Sequence, residues 1–147
     1  MALINYLRWT HRIFYRIRVY GKQLVYSYKY YYTKRLALCC DIRCGINYVG
    51  KKSTKFPHPV GCVLGMGVTL GQNCIIFQNV TIGTKSVFEH DYPTIGDNVI
   101  VGANSVVVGN ITIGDGATIG ACSLVNKDIP PKAIAVGIPV KIIGYNA

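Results

Sequence analysis

The chain has 147 residues, half of them hydrophobic and only 15% charged, so it can bury a core and lacks the composition of a disordered segment. Its formal charge of +10 is concentrated: residues 1–55 hold twelve of the sixteen Lys and Arg and one of the six Asp and Glu, while the remainder is nearly neutral. Six cysteines lack paired C-x-x-C spacing, which argues against a structural zinc site, and Arg8, Arg12 and Arg16 interrupt the apolar stretch that a secretory signal needs.

Residues 2–35 predict one or two helices. Leu3, Leu7, Phe14, Ile17, Leu24 and Tyr28 fall near one helical face, and Arg8, Arg12 and Arg16 line another. Tyr26, Tyr28, Tyr30, Tyr31 and Tyr32 make the end of this segment aromatic. Two readings stand. The helix packs on the rest of the chain or on a neighbouring copy with its arginines in water, or it lies on an anionic membrane surface through Trp9 and the tyrosines. No nucleic-acid recognition motif accompanies the basic run, so no nucleic-acid partner is expected. His11, within it, reads as a solvated or packing residue. No segment is long enough to span a bilayer. A cytoplasmic protein with free thiols is expected, either in solution or at the inner face of the membrane.

From residue 64 a six-residue period takes over. Aliphatic residues recur at Leu64, Leu70, Ile76 and Ile82, then at Ile95, Val101, Val107, Ile113, Ile119 and Val125. Glycine follows seven of them, and a small or branched residue stands four places on, as at Val68, Cys74, Val80, Val99, Ser105, Ile111, Ala117 and Ser123. Neither an alternating strand nor a helix has this period. A parallel β-helix does, with one short strand and one corner per hexapeptide. The aliphatic residue points inward and the small one fills the corner, so Cys74 reads as packing.

Counting six back from Leu64 reaches His58, in FPHPVG. The period alone makes it an inward or edge position. Pro59 argues against a central strand, since proline has no N–H for a ladder, and both prolines restrict the backbone around the histidine. The stretch reads as the start of the coil. Ile82 to Ile95 is one residue out of phase, so Thr84–Thr94 (TKSVFEHDYPT) reads as a loop thrown out of the coil, where binding groups tend to sit. Residues 126–144 open with Pro-Pro and end in a short apolar piece expected to cap the coil.

Three stretches, HPVG with the coils after it, FQNVTIG running into PTIGDNVIVGANSVVVGN, and VNKDIPPKAIAVGIPVKIIG, resemble the hexapeptide-repeat acyltransferases, most closely the serine acetyltransferase branch. The resemblance covers about the last two thirds of the chain. It implies a mainly β fold, a left-handed parallel β-helix over residues 41–147, with a loop at 84–94 and a cap at 126–147, preceded by a short helical segment at 1–40. It also implies a homotrimer with acetyl-CoA bound between subunits, and no metal. His58 takes the place of the general base, which fits proton removal from a hydroxyl attacking a thioester. Asp41 is the candidate for orienting it, or simply caps the first turn. Gly102, Ala103, Gly120 and Ala121 should flank the pantetheine arm, or serve only as tight corners. Lys132 and Lys141 (with Lys127) are candidates for phosphate contacts, beside Gly137 and Pro139 of the closing motif.

The departures concern the acceptor. Pro57 replaces the acid that helps hold serine in that branch, and Asp91 and Tyr92 stand where arginine and a second histidine precede the loop-closing proline. His90 lies two residues early and is either a substrate-binding residue or an exposed loop residue. The long N-terminal helical domain is missing. These losses point to the short members that O-acetylate sugars of capsule, lipopolysaccharide or other surface glycans. Serine O-acetylation and a non-catalytic β-helix scaffold trimer are the alternatives.

Overall fold

The computed structural model describes residues 39–147. The readings placed on residues 1–38, including the helix, its membrane contact and His11, lie outside them. Strand β1 (Asp41–Ile42) is followed by a short helix, α1 (Ile46–Lys51), and by an isolated bridge from Lys55 to Ile75. Two-residue strands then succeed one another: β2 (Val63–Leu64), β3 (Thr69–Leu70) and β4 (Ile75–Ile76) complete one turn. The next turn is β5 (Thr81–Gly83), β6 (Thr94–Ile95) and β7 (Ile100–Val101). It is followed by β8 (Val106–Val108), β9 (Thr112–Ile113) and β10 (Thr118–Ile119), then by β11 (Leu124–Val125), a bridge at Ile129, and β12 (Ala133–Val136).

Each strand pairs in parallel with the one a full turn later, which gives three faces. The first carries β1-β2-β5-β8-β11, the second β3-β6-β9, and the third β4-β7-β10-β12. The chain visits them in that order. The partner of Leu64 is Ile82, and that of Ile82 is Val107, so the inward residues stack in register. All ten aliphatic positions of the period are buried, and so are the small residues four places on. Burying each Leu, Ile or Val is worth about 1.5–3 kcal/mol, and this column is the core. Ser105 and Ser123, its polar members, both donate their hydroxyls to the Gly120 carbonyl, at 2.9 and 2.8 Å.

The corners have their own chemistry. Asn73, Asn79, Asn98 and Asn104 all adopt positive φ near +57°, the left-handed conformation that asparagine tolerates better than most residues. Asn79 Nδ2 donates to Asn104 Oδ1 at 3.0 Å, joining successive turns. At the corner between the second and third faces the carboxylates form a ladder. Asp97 accepts from the Gln72 N–H at 2.6 Å, and Asp115 accepts from the Asp97 N–H at 2.7 Å.

Three details differ from expectation. Helix α1 takes the place of a second-face strand in the opening turn, with the Tyr48 hydroxyl accepting from the Leu70 N–H at 3.0 Å. The loop ends at residue 93, because Thr94 pairs with Thr69 and Thr112. The closing apolar piece is a strand, β13 (Lys141–Tyr145), which adds antiparallel to the edge of β12. Val140 is buried in doing so, but Ile143 and Tyr145 stay exposed, so this strand extends a face and does not lie over the coil's open end.

Candidate active site

His58 stands at the corner where the chain passes from the third face to the first. Phe56, 1% exposed, anchors the segment inward, and Pro59 is buried beside it. The Val60 N–H donates to the His58 carbonyl at 2.8 Å, a three-residue turn that presents the imidazole outward. The ring is exposed, and its centroid lies 6.5 Å from that of Phe77, at 44° between planes. The phase of the period would make His58 an inward position, but Phe56 takes that place, level with Ile76 beside the Lys55–Ile75 bridge, and His58 is exposed at the corner.

Phe77 occupies the same corner one turn on, and the expected cofactor residues continue it. The Phe77 N–H donates to the Val101 carbonyl at 3.0 Å, Gly102 to Ile119 at 2.8 Å, and Gly120 to Ala135 at 2.9 Å. His58, Phe77, Gly102–Ala103 and Gly120–Ala121 thus form one column of about 14 Å at the usual strand spacing. A methyl group at Gly102 would lie 2.6 Å from the Ala121 nitrogen, and one at Gly120 would lie 2.5 Å from Val136 Cγ1. Backbone stacking of successive turns requires the glycine at 102, whereas at 120 the obstacle is the Val136 side chain. Ala103 is half-buried and Ala121 exposed, so these two face outward along the column. Gln78 Oε1, beside Phe77, is buried and has no hydrogen-bond partner.

The other expected residues scatter. Asp41 has another partner: its carboxylate is bonded to the Arg43 guanidinium at 3.0 Å, both side chains well exposed. Lys132 and Lys141 sit at opposite ends of β12. Lys132 is at the second-to-third corner at φ +60°, and Lys141 pairs with Val136 next to Gly137. Only Lys141 lies toward the His58 column, and the two lysines do not share one phosphate site. Lys127 is exposed just after β11, a corner away.

His90, Asp91 and Tyr92 end the loop, at the corner between the first and second faces. The Tyr92 ring rests on Gly65 and Gly67: methyl groups there would fall 2.5 Å from Cε1 and 2.8 Å from Cε2. Met66, Gly67, His90 and Tyr92 line a cleft of about 470 Å³. Asp91 is exposed and lies outside it. Met66, Phe77 and Gly67 were not singled out from the sequence, and Gly65 was read only as the glycine after an inward aliphatic residue. The G-M-G run was the available signal, since two glycines bracketing a corner leave room for something to pack on it. Within one chain the whole first face separates this cleft from His58. Beneath the His58 corner, burial pushes the Cys62 thiol from its ordinary 9.0 up to about 11, so it stays protonated at neutral pH. Burial also raises Cys74 and Cys44. Among the described residues no three His, Cys, Asp or Glu side chains are grouped to hold a metal.

Repeat, register and corners define a parallel β-helix of hexapeptide repeats, consistent with the left-handed coil expected. The family model "bacterial transferase hexapeptide (six repeats)" matches residues 92–127, and "hexapeptide repeat of succinyl-transferase" matches residues 60–84. The relatives narrow the branch. The chain is 41% identical over 88 residues to a serine acetyltransferase of Buchnera aphidicola (Acyrthosiphon pisum strain APS), covering 58% of this chain and 32% of that one. It is 46% identical over 88 residues to the mitochondrial serine acetyltransferase 3 of Arabidopsis thaliana, 59% of this chain and 22% of that protein. The crystal structure of Neisseria gonorrhoeae serine acetyltransferase superposes with a TM-score of 0.62 at 40% identity, covering 64% of this chain and 37% of that one. Soybean serine acetyltransferase complexed with serine gives 0.59 at 41% identity, covering 61% and 37%. The chain therefore spans between 22% and 37% of the length of these relatives.

Proposed function

We propose that the chain is an acetyl-CoA-dependent O-acetyltransferase with His58 as general base. The observation that carries this reading is the column that starts at the exposed imidazole and runs past Phe77 to Ala103 and Ala121, on a coil similar to that of serine acetyltransferases. Acetyl-CoA lies along the column with its thioester toward His58. The imidazole takes the acceptor's hydroxyl proton as the oxygen attacks the thioester carbon. The C–S bond then breaks, and the imidazolium returns that proton to the departing thiolate. Asp41 is bonded to Arg43 and is assigned no part in orienting the base.

The acceptor side is the cleft of His90, Tyr92 and Met66. Because the first face separates it from His58 within one chain, the two halves meet between copies, in the homotrimer that the resemblance implies. Serine is the acceptor that the relatives favour, ahead of the sugar expected from the departures noted above. A sugar hydroxyl is the second reading. It rests on Pro57, which offers no charge beside the base for an amino acid's ammonium group, and on the Tyr92 ring seated where the branch has histidine. Thiol release from acetyl-CoA, measured with L-serine and with a panel of free sugars, separates them. Turnover with serine alone establishes the first reading, and turnover with sugars alone the second. Absence of acetyl-CoA binding in calorimetry would leave a scaffold trimer.

A further inference from the structure

None of the cysteines has a role in this chemistry, and two of them, Cys40 and Cys62, stand opposite each other. Asp41 stands opposite Val63 in the parallel pair of β1 and β2, so Cys40 and Cys62 are the preceding residues on the two chains. Backbone bonds hold them there: Asp41 N–H donates to the Cys62 carbonyl and Gly61 N–H to the Cys39 carbonyl, both at 2.8 Å. Neighbouring strands lie about 4.8 Å apart, inside the Cα separation of about 4.4–6.8 Å that a disulfide spans. Cys62 is fully buried and Cys40 half-buried, the two thiols are near enough to perturb each other, and the Cys62 thiol donates to the Phe77 carbonyl at 3.2 Å. Cys39 is exposed, one residue before the position paired with Cys62. Cys74 is buried elsewhere in the core, with its thiol 3.2 Å from the Gly96 carbonyl, and Cys122 is exposed on a later turn.

We propose that Cys40 and Cys62 are a thiol–disulfide site that closes by exchange with a low-molecular-weight disulfide such as oxidised glutathione. Cys40, the accessible thiol, loses its proton and attacks one sulfur of the small disulfide. A mixed disulfide forms and one small thiol leaves. Cys62 then loses its proton and attacks the Cys40 sulfur, expelling the second small thiol. Two protein thiols are oxidised to one disulfide while one small disulfide is reduced to two thiols, and excess small thiol reverses both steps. Burial of Cys62 makes the second step the slow one. The closed loop carries α1 and the whole FPHPVG segment, so the cross-link ties the opening turn to the next on either side of His58.

The test is to equilibrate the full chain over a series of reduced-to-oxidised glutathione ratios, quench in acid, and map free and linked cysteines by differential alkylation and peptide mass spectrometry. Cys40 and Cys62 should lose alkylation together, in one linked peptide, and recover together in excess reduced glutathione. Cys62→Ala should accumulate the glutathione adduct at Cys40 with no link. Cys40→Ser, altered at the end of the coil and outside the core, should leave Cys62 unreacted. Linkage of Cys40 to Cys39 or Cys44 would overturn the proposal. So would free Cys40 and Cys62 at a ratio that fully modifies the exposed Cys122.

Discussion

Replacing Gly67 with alanine puts a methyl group against the Tyr92 ring, 2.8 Å from Cε2 and 2.9 Å from Cγ, where ordinary carbon contacts lie at about 3.5–4.0 Å. The backbone at Gly67 is not left-handed, and the ring supplies the nearest contacts. Holding the ring in place would cost about 1–3 kcal/mol of overpacking. Tyr92 belongs to a loop, however, and can leave its seat at the cost of its partial burial, about 1–2 kcal/mol. The smaller cost sets the outcome, so Gly67→Ala should destabilise by about 1–2 kcal/mol and displace the end of the loop with His90. Urea unfolding of wild type, Gly67→Ala, Tyr92→Ala and the double variant reads the coupling. In the Tyr92→Ala background the cost of the methyl group should fall to within about 0.5 kcal/mol of zero. An equal cost in both backgrounds would show that the ring does not use this seat. Gly102→Ala gives the contrast. Its methyl group would meet backbone, 2.6 Å from the Ala121 nitrogen and 2.8 Å from the Gly120 carbonyl carbon, and nothing can swing aside. It should cost about 3 kcal/mol whatever residue occupies position 92.

Two further outcomes follow from the corners and the buried thiols. Asp97→Ala removes the acceptor for the Gln72 N–H and should lower stability by about 1 kcal/mol in the same urea assay, with Asp97→Asn losing less because it keeps an acceptor oxygen. Cys62 binds its proton more tightly in the folded chain, so the stability linked to it is complete below the unfolded pKa of 9.0 and is lost as pH rises toward about 11. Unfolding free energy should therefore fall by up to about 2–3 kcal/mol across that window, and the fall should be smaller in Cys62→Ala.

The coil was legible because one physical demand repeats every six residues: an apolar side chain must fill a narrow prism. All ten inward residues lie in the core, and the phase slip between Ile82 and Ile95 marks the loop to within one residue. The asparagine corners carry the same period, at Asn73 and Asn79 and again at Asn98 and Asn104, and asparagine's tolerance of positive φ was a usable signal. Other features left no repeating trace. Helix α1 is six residues long and ends near Gly50, too short for helical periodicity to show. The partner of Asp41 was decided by Arg43, two residues away on the same chain, and sequence separation from His58 says nothing about that competition. The split of Lys132 and Lys141 depends on β13 folding back antiparallel, which an apolar run does not specify. For the acceptor site, the loop's location was readable, but its seat on Gly65 and Gly67 is a contact across turns that one strand's pattern cannot reveal.

The base assignment at His58 is the centre of the account, and the rate of thiol release from acetyl-CoA by wild type and His58→Ala, with serine and with sugars, tests it most directly. The account predicts that the variant still binds acetyl-CoA and that its turnover falls by roughly a hundredfold or more. A variant that turns over as fast as wild type would contradict it.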